Sequence, residues 1–264
     1  MRYILKCLLL GYLSFFTCST FATLITQTTA PESVLSHWGI TIEGGYAFSM
    51  ANSNTLSLPM PFVFPPNDYY ESEARNNAGL IGAGVSYQFN LPYWTKFSNQ
   101  WFPADRLGLF YDYYFPANID GEIYKWESST IGYDYQYVVV SQVVWLDNQL
   151  DIISWKKWTP FVDTSIGAAF NTARDYSENP VELPPRPSAA FDNNTNTQFA
   201  WRVGVGLNYA FDWHKYVGQI SLEYRYSDLG NVKTGTSDTY PSIDHALSQR
   251  LTNSEIILAL RYNL

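Results

Sequence analysis

The sequence predicts an all-β chain: a transmembrane, up-and-down antiparallel β-barrel of eight strands with long external loops. Three observations predict it. The last ten residues alternate with a period of two, Ile256, Leu258, Leu260, Tyr262 and Leu264 on one face and Glu255, Ala259, Arg261 and Asn263 on the other. That is a strand with one apolar and one polar side. Seven earlier segments repeat the pattern. The chain is 17% aromatic and only 15% charged, with a mean hydropathy of −0.18. A helical membrane protein would be far more apolar, whereas an apolar outside and a wet inside average to such values.

Residues 1–22 read as an export signal. Arg2 and Lys6 supply a positive start, Cys7 to Phe16 an apolar core, and Thr20-Phe21-Ala22 a small-residue cleavage site. A cut before Cys18 would instead make a lipoprotein, for which Phe15-Phe16-Thr17 is a poor lead-in. Residues 23–36 then form a short periplasmic segment and residues 37–264 the barrel. Both cysteines, Cys7 and Cys18, lie in the signal, so the exported form has no disulfide or thiolate chemistry. Export also removes Arg2 and Lys6 and no acid, moving the formal charge from −8 to −10. An acidic surface argues against nucleic acid as a partner.

The strands follow in order. In the first, Trp38, Ile40, Ile42, Tyr46 and Phe48 oppose Gly39, Thr41, Glu43, Gly45 and Ala47. In the second, Ile81, Ala83, Val85, Tyr87 and Phe89 oppose Gly82, Gly84, Ser86 and Gln88. In the third, Leu107, Leu109, Tyr111, Tyr113 and Phe115 oppose Gly108, Phe110, Asp112 and Tyr114. The fourth, about 133–146, turns apolar on both sides around Val138-Val139-Val140. The fifth sets Val162, Thr164, Ile166, Ala168 and Phe170 against Asp163, Ser165, Gly167 and Asn171. The sixth sets Trp201, Val203, Val205, Leu207 and Tyr209 against Arg202, Gly204, Gly206 and Asn208. The seventh sets Ile220, Leu222, Tyr224 and Tyr226 against Glu223 and Arg225. Each run is about 9–14 residues, enough for a tilted strand to cross a bilayer.

Gly82-Ala-Gly-Val-Ser-Tyr-Gln-Phe89 and Gly204-Val-Gly-Leu-Asn-Tyr-Ala-Phe211 echo one another. No helix follows either, which argues against a phosphate loop; glycine facing inward leaves room in a narrow lumen. Connections after odd strands (about 49–79, 116–132, 172–198 and 228–250) are long and polar, and the stretch Asn179 to Pro187 is too proline-rich for a central strand. Connections after even strands are shorter, although 90–105 and 147–160 are long for turns. Their Trp94, Trp101, Phe102, Trp155 and Trp158 suit a membrane interface. Long loops on one side only place both termini in the periplasm.

Alternation does not say which face points inward, because a soluble lipocalin-like barrel alternates too. Aromatics at the strand ends favour the bilayer: Tyr46, Phe48, Tyr113, Phe115, Phe170 and Tyr226 at one rim, and Trp38, Phe89, Phe211, Trp213, Tyr216 and Tyr262 at the other. An amphipathic ring there meets both oil and water.

The chain resembles the small OmpA-type outer-membrane barrels, particularly the barrel-only surface proteins of Gram-negative bacteria. The carriers are Tyr46-Ala-Phe48, Gly82 to Phe89, Pro160 to Gly167 and Leu222 to Gly230, and the resemblance covers about residues 37–264. It implies a place in the cell outer membrane among lipid and lipopolysaccharide, and the barrel-assembly machinery as a partner during biogenesis. The last residue of such barrels is usually aromatic and read by that machinery. Here it is Leu264, with Tyr262 two positions earlier, so recognition would depend on the alternating apolar residues. No peptidoglycan-binding domain follows the barrel, so no cell-wall tether is implied.

The polar face poses a charge problem. Glu43, Asp112, Asp134, Asp163, Glu223 and Glu255 point inward against Arg202, Arg225 and Arg261. An eight-stranded lumen is filled by side chains, and an unpaired buried charge costs about several kcal/mol. Arg202, Arg225 and Arg261 are therefore expected to pair with Glu223, Glu43 and Asp163. Such a network plugs the barrel; the alternative is a small, non-specific or cation-preferring pore. An outer-membrane hydrolase would need a rim histidine. His37 and His214 are bland surface positions, leaving His245 beside Asp244 and Ser242, and neighbours on an extended chain diverge. The expectation is no enzyme, no cofactor and no metal site. The loop acids Glu71, Glu73, Asp120, Glu122, Glu127, Asp175, Glu178, Glu182 and Asp238 form a solvated shield or bind a host or cell-surface ligand.

Overall fold

The computed structural model describes residues 37–49, 55–59, 67–72, 76–90, 102–125, 131–182, 191–213, 216–236 and 246–264. The expected signal and N-terminal segment lie outside them, as do Glu73, Trp94, Trp101, Glu127, His214, Asp238, Ser242, Asp244 and His245. Among the described residues the regular elements are all strands. Eight build the wall: β1 (His37–Ser49), β4 (Ala78–Asn90), β5 (Ala104–Lys125), β6 (Ile131–Asp151), β7 (Trp158–Pro180), β9 (Asn194–Trp213), β10 (Tyr216–Lys233) and β12 (Ser248–Asn263). Four are short: β2 (Thr55–Pro59), β3 (Asn67–Ser72), β8 (Phe191–Asp192) and β11 (Gly235–Thr236).

The long strands pair antiparallel in the order β1-β4-β5-β6-β7-β9-β10-β12, and β12 returns to β1, with Ile42 opposite Leu260 and Ala47 opposite Glu255. Closure leaves no free ladder within the ring, so backbone groups are satisfied without water, as hydrocarbon demands. All eight strands read from the period-two pattern are present.

Burial settles which face looks inward. Along β12, Glu255, Ile257 and Arg261 are buried, while Leu258 is 60% exposed; on β10, Arg225 is buried and Leu222 is 58% exposed. Water would penalise that arrangement and lipid rewards it. Aromatic pairs border the apolar band at both ends. Tyr46 stacks edge-on with Phe48 and Tyr113 with Phe115 at the end where the long hairpins project. Trp38 meets Tyr87, and Trp158 meets Tyr209, at the end with short turns.

Two expectations about the connections need correction. Much of the segments 116–132, 172–198 and 228–250 is not loop: β5, β6, β7 and β10 continue as ladder well past the apolar band, and Asn179 and Pro180 pair with Asp134 and Tyr133 at the end of β7. The link 147–160 shortens because β6 runs to Asp151 and β7 begins at Trp158, with Trp155 bridging Trp158 across the turn.

The projecting part reverses polarity. On β5, Tyr114 points in, Phe115 and Pro116 both face out, and Ala117, Ile119 and Ile123 point in. The register with β6 slips by one residue at that point, a β-bulge. β7 has the same device at Asp175, whose φ is +57°, and β10 has it at Gly230, at +73°. Beyond the bulges the inside holds Tyr70, Tyr135, Tyr137, Ile119, Ile123, Phe191, Leu229 and Val232. Water now surrounds the wall, so the apolar residues turn inward. Asp134 is corrected for this reason: it faces outward, between the buried Tyr133 and Tyr135.

Candidate functional site

The lumen is the candidate site, and it is built in layers. One layer centres on Arg225. Its Nη2 donates to Glu43 Oε1 at 2.6 Å, and Nε lies 3.3 Å from Glu223 Oε1 and 3.9 Å from Glu255 Oε2. Glu255 Oε1 also accepts from Tyr114 at 2.8 Å and Ser227 at 2.5 Å. Four strands are tied together in this way: β1, β5, β10 and β12.

The second layer centres on Arg202. Its Nη1 donates to Asp112 Oδ2 at 2.7 Å, Nη2 to Asp147 Oδ1 at 3.0 Å and Nε to Ser165 Oγ at 2.8 Å. Trp145 Nε1 donates to the same Asp112 oxygen at 2.8 Å, and the guanidinium sits 4.8 Å from a Trp145 ring centre. A planar guanidinium fits here because one group serves two carboxylates and stacks on an indole.

The third layer, at the turn end, joins Arg106 Nη2 to Asp151 Oδ2 at 3.3 Å, with Gln149 and Asn208 donating to the other Asp151 oxygen. Arg261 is buried beside this layer, and its three guanidinium nitrogens have no hydrogen-bond partner among the described residues.

Glycine makes the layers possible. A Cβ at Gly204 would collide with Glu223 Oε1 and lie 2.8 Å from Arg225 Cγ and 3.1 Å from Asp163 Oδ1; one at Gly82 would collide with Asp112 and lie 2.9 Å from Glu43 Cγ. The second glycine of each repeat, Gly84 and Gly206, makes room for Phe110 and Phe161. The two Gly-x-Gly repeats thus admit an ion cluster and a phenyl ring each.

All eight singled-out network residues, Glu43, Asp112, Asp163, Arg202, Glu223, Arg225, Glu255 and Arg261, lie on the inward face, but the pairing differs from expectation. Arg225 takes both Glu43 and Glu223, Arg202 takes Asp112 instead, and neither Arg261 nor Asp163 joins an ion pair among the described residues. Asp147, Arg106 and Asp151 went unread. Asp147 and Asp151 fall in a segment assigned to a connection, and Arg106 opens its strand; their signal was the inward parity alone. Together the layers leave a cavity of about 40 Å³ inside the ring, room for roughly two or three waters.

On the outer face of the projection, Glu71, Glu122 and Asp134 stand opposite one another across β3, β5 and β6. Like charges so placed repel. Tyr124 donates to Glu122, a bond that pushes the phenol up to about 12.

A closed antiparallel meander with hydrocarbon outside and ion pairs inside is a transmembrane β-barrel of the small outer-membrane type. No family model and no curated protein matches the chain. Among solved structures it is similar to Neisserial surface protein A, at 11% identity and a TM-score of 0.39, covering 86% of this chain and 97% of that one. It is likewise similar to the outer membrane protein OprG from Pseudomonas aeruginosa, at 11% identity, a TM-score of 0.40, and 87% and 97% coverage. Ail of Yersinia pestis, solved with the heparin analogue sucrose octasulfate, matches at 14% identity and a TM-score of 0.36, covering 86% and 99%.

Proposed function

We propose that this chain is a closed outer-membrane barrel that displays a rigid surface platform and conducts no solute. The observation carrying this reading is the double filling of the lumen. Ion-paired layers around Arg225 and Arg202 occupy the membrane-spanning part, and a tyrosine- and isoleucine-rich layer occupies the projection. A permeant solute would have to break buried ion pairs and then cross an apolar seal.

Both termini lie in the periplasm on this reading, and the projection faces outward. There it stands beside lipopolysaccharide and carries the acidic row of Glu71, Glu122 and Asp134, a rigid scaffold for binding at a host or other cell surface. The role calls for no catalytic group.

Planar-bilayer recording of the purified full-length chain tests closure: a flat baseline is expected, and a steady channel would replace the reading with a pore. Display on a non-adherent Gram-negative host, with and without the projecting hairpins, tests the platform. Attachment should fall when the hairpins are shortened although the barrel still assembles; attachment that persists would remove the platform role.

A further inference from the structure

Arg261 is 3% exposed, and its Nε, Nη1 and Nη2 all lack a hydrogen-bond partner among the described residues. A guanidinium keeps its proton in a protein, so a full positive charge is buried inside a ring whose outside is lipid. A bare buried charge is costly, and an ion of opposite sign is the usual remedy. The nearest acid of that layer does not supply it: Asp151 is bound by Arg106, Gln149 and Asn208. The turn end therefore holds two guanidinium groups, Arg106 and Arg261, and its inward carboxylate among the described residues, Asp151, is already bound.

Both arginines line the cavity of about 40 Å³, where Thr41, Ser86 and Ser221 supply hydroxyl groups. Of the acids on the same cavity, Glu43 and Glu223 are bound to Arg225 and Asp147 to Arg202, while Asp163 sits beside Gly204 in the acid-rich layer. We infer that Arg261 holds a small monatomic anion, a halide of chloride size, at the turn end of the lumen. The cavity has room for one such ion with a water.

The probe is bromide. Crystals of the natural chain soaked in sodium bromide should show an anomalous peak within hydrogen-bonding reach of the Arg261 guanidinium. In detergent, thermal stability should rise with sodium chloride or bromide and not with sodium gluconate at equal ionic strength, because a ligand that binds only the folded state raises its midpoint. Arg261→Gln should abolish the halide-specific rise. Water alone at Arg261 in the bromide crystals, or an equal response to gluconate, overturns the site. Should Arg261→Gln fail to fold, the two measurements on the natural chain decide the question without it.

Discussion

Arg202 on β9 and Asp112 on β5 meet at 2.7 Å although two wall strands, β6 and β7, lie between them in the ring. The bond crosses the lumen rather than running along the wall. Tyr114 on β5 and Glu255 on β12 do the same at 2.8 Å with β4 and β1 between them. Such cross-braces hold the ring to one diameter, and their energetic weight can be measured.

Arg225 is the group most shared. Arg225→Met would leave Glu43, Glu223 and Glu255 without their common cation, and breaking a buried pair from one side costs about 3–5 kcal/mol. Urea unfolding of the barrel refolded into vesicles should show a loss of that size. A loss under about 1 kcal/mol would mean that water compensates these acids.

The lumen glycines make a graded set. Gly204→Ala drives a methyl into Glu223 and Arg225, and overpacking of this kind costs about 1–3 kcal/mol. Gly44→Ala is the control, since its Cβ would meet nothing nearer than Leu80 O at 3.8 Å. The two variants should separate clearly in the same unfolding assay; equal behaviour would contradict the packing.

Leu258 tests the lipid face. Leu258→Lys should cost about 2–4 kcal/mol, the penalty for a cation in the hydrocarbon interior of a barrel wall. On a soluble protein a lysine at a position 60% exposed would be nearly neutral. Assembly yield in cells and refolding in vesicles should both fall.

The apolar seal can be opened on its own. Tyr137, fully buried and stacked on Tyr135 at 6.4 Å, lies beyond the first bulge. Tyr137→Ala should cost about 3–5 kcal/mol by analogy with other buried aromatic truncations and sensitise the projecting hairpins to protease. Conductance should stay at zero because the Arg202 and Arg225 layers remain. A channel in this variant would assign the seal to the tyrosines alone.

Strand number and the lipid-facing stripe were legible because a bilayer imposes one rule along its whole thickness, so apolar side chains recur at every second residue from Ile256 to Leu264 and at most such positions from Trp38 to Phe48. The projection was not legible, since β6 obeys that rule at Val144 and its opposite at Tyr133, Tyr135 and Tyr137, and the change makes the segment look apolar on both sides. Bulges leave only faint marks in sequence, Pro116, Asp175 and Gly230, each of which also suits an ordinary loop. Inward parity placed Arg202, Arg225 and their acids in the lumen, yet it could not choose partners. Cross-lumen distances depend on the stagger of the strands, which sets Arg202 against Asp112 and leaves Arg261 apart.

The bulge at Phe115 and Pro116 works as a phase shifter between two solvents. One extra residue lets a single strand present leucines to oil along its first half and asparagine and acids to water along its second, with no loop between. A regular ladder running through Pro116 without the bulge would carry the wrong phase forward, turning Asn118 and Asp120 toward the axis and Ile119 and Ile123 toward water. The length of the projection can vary freely so long as this one-residue offset is kept.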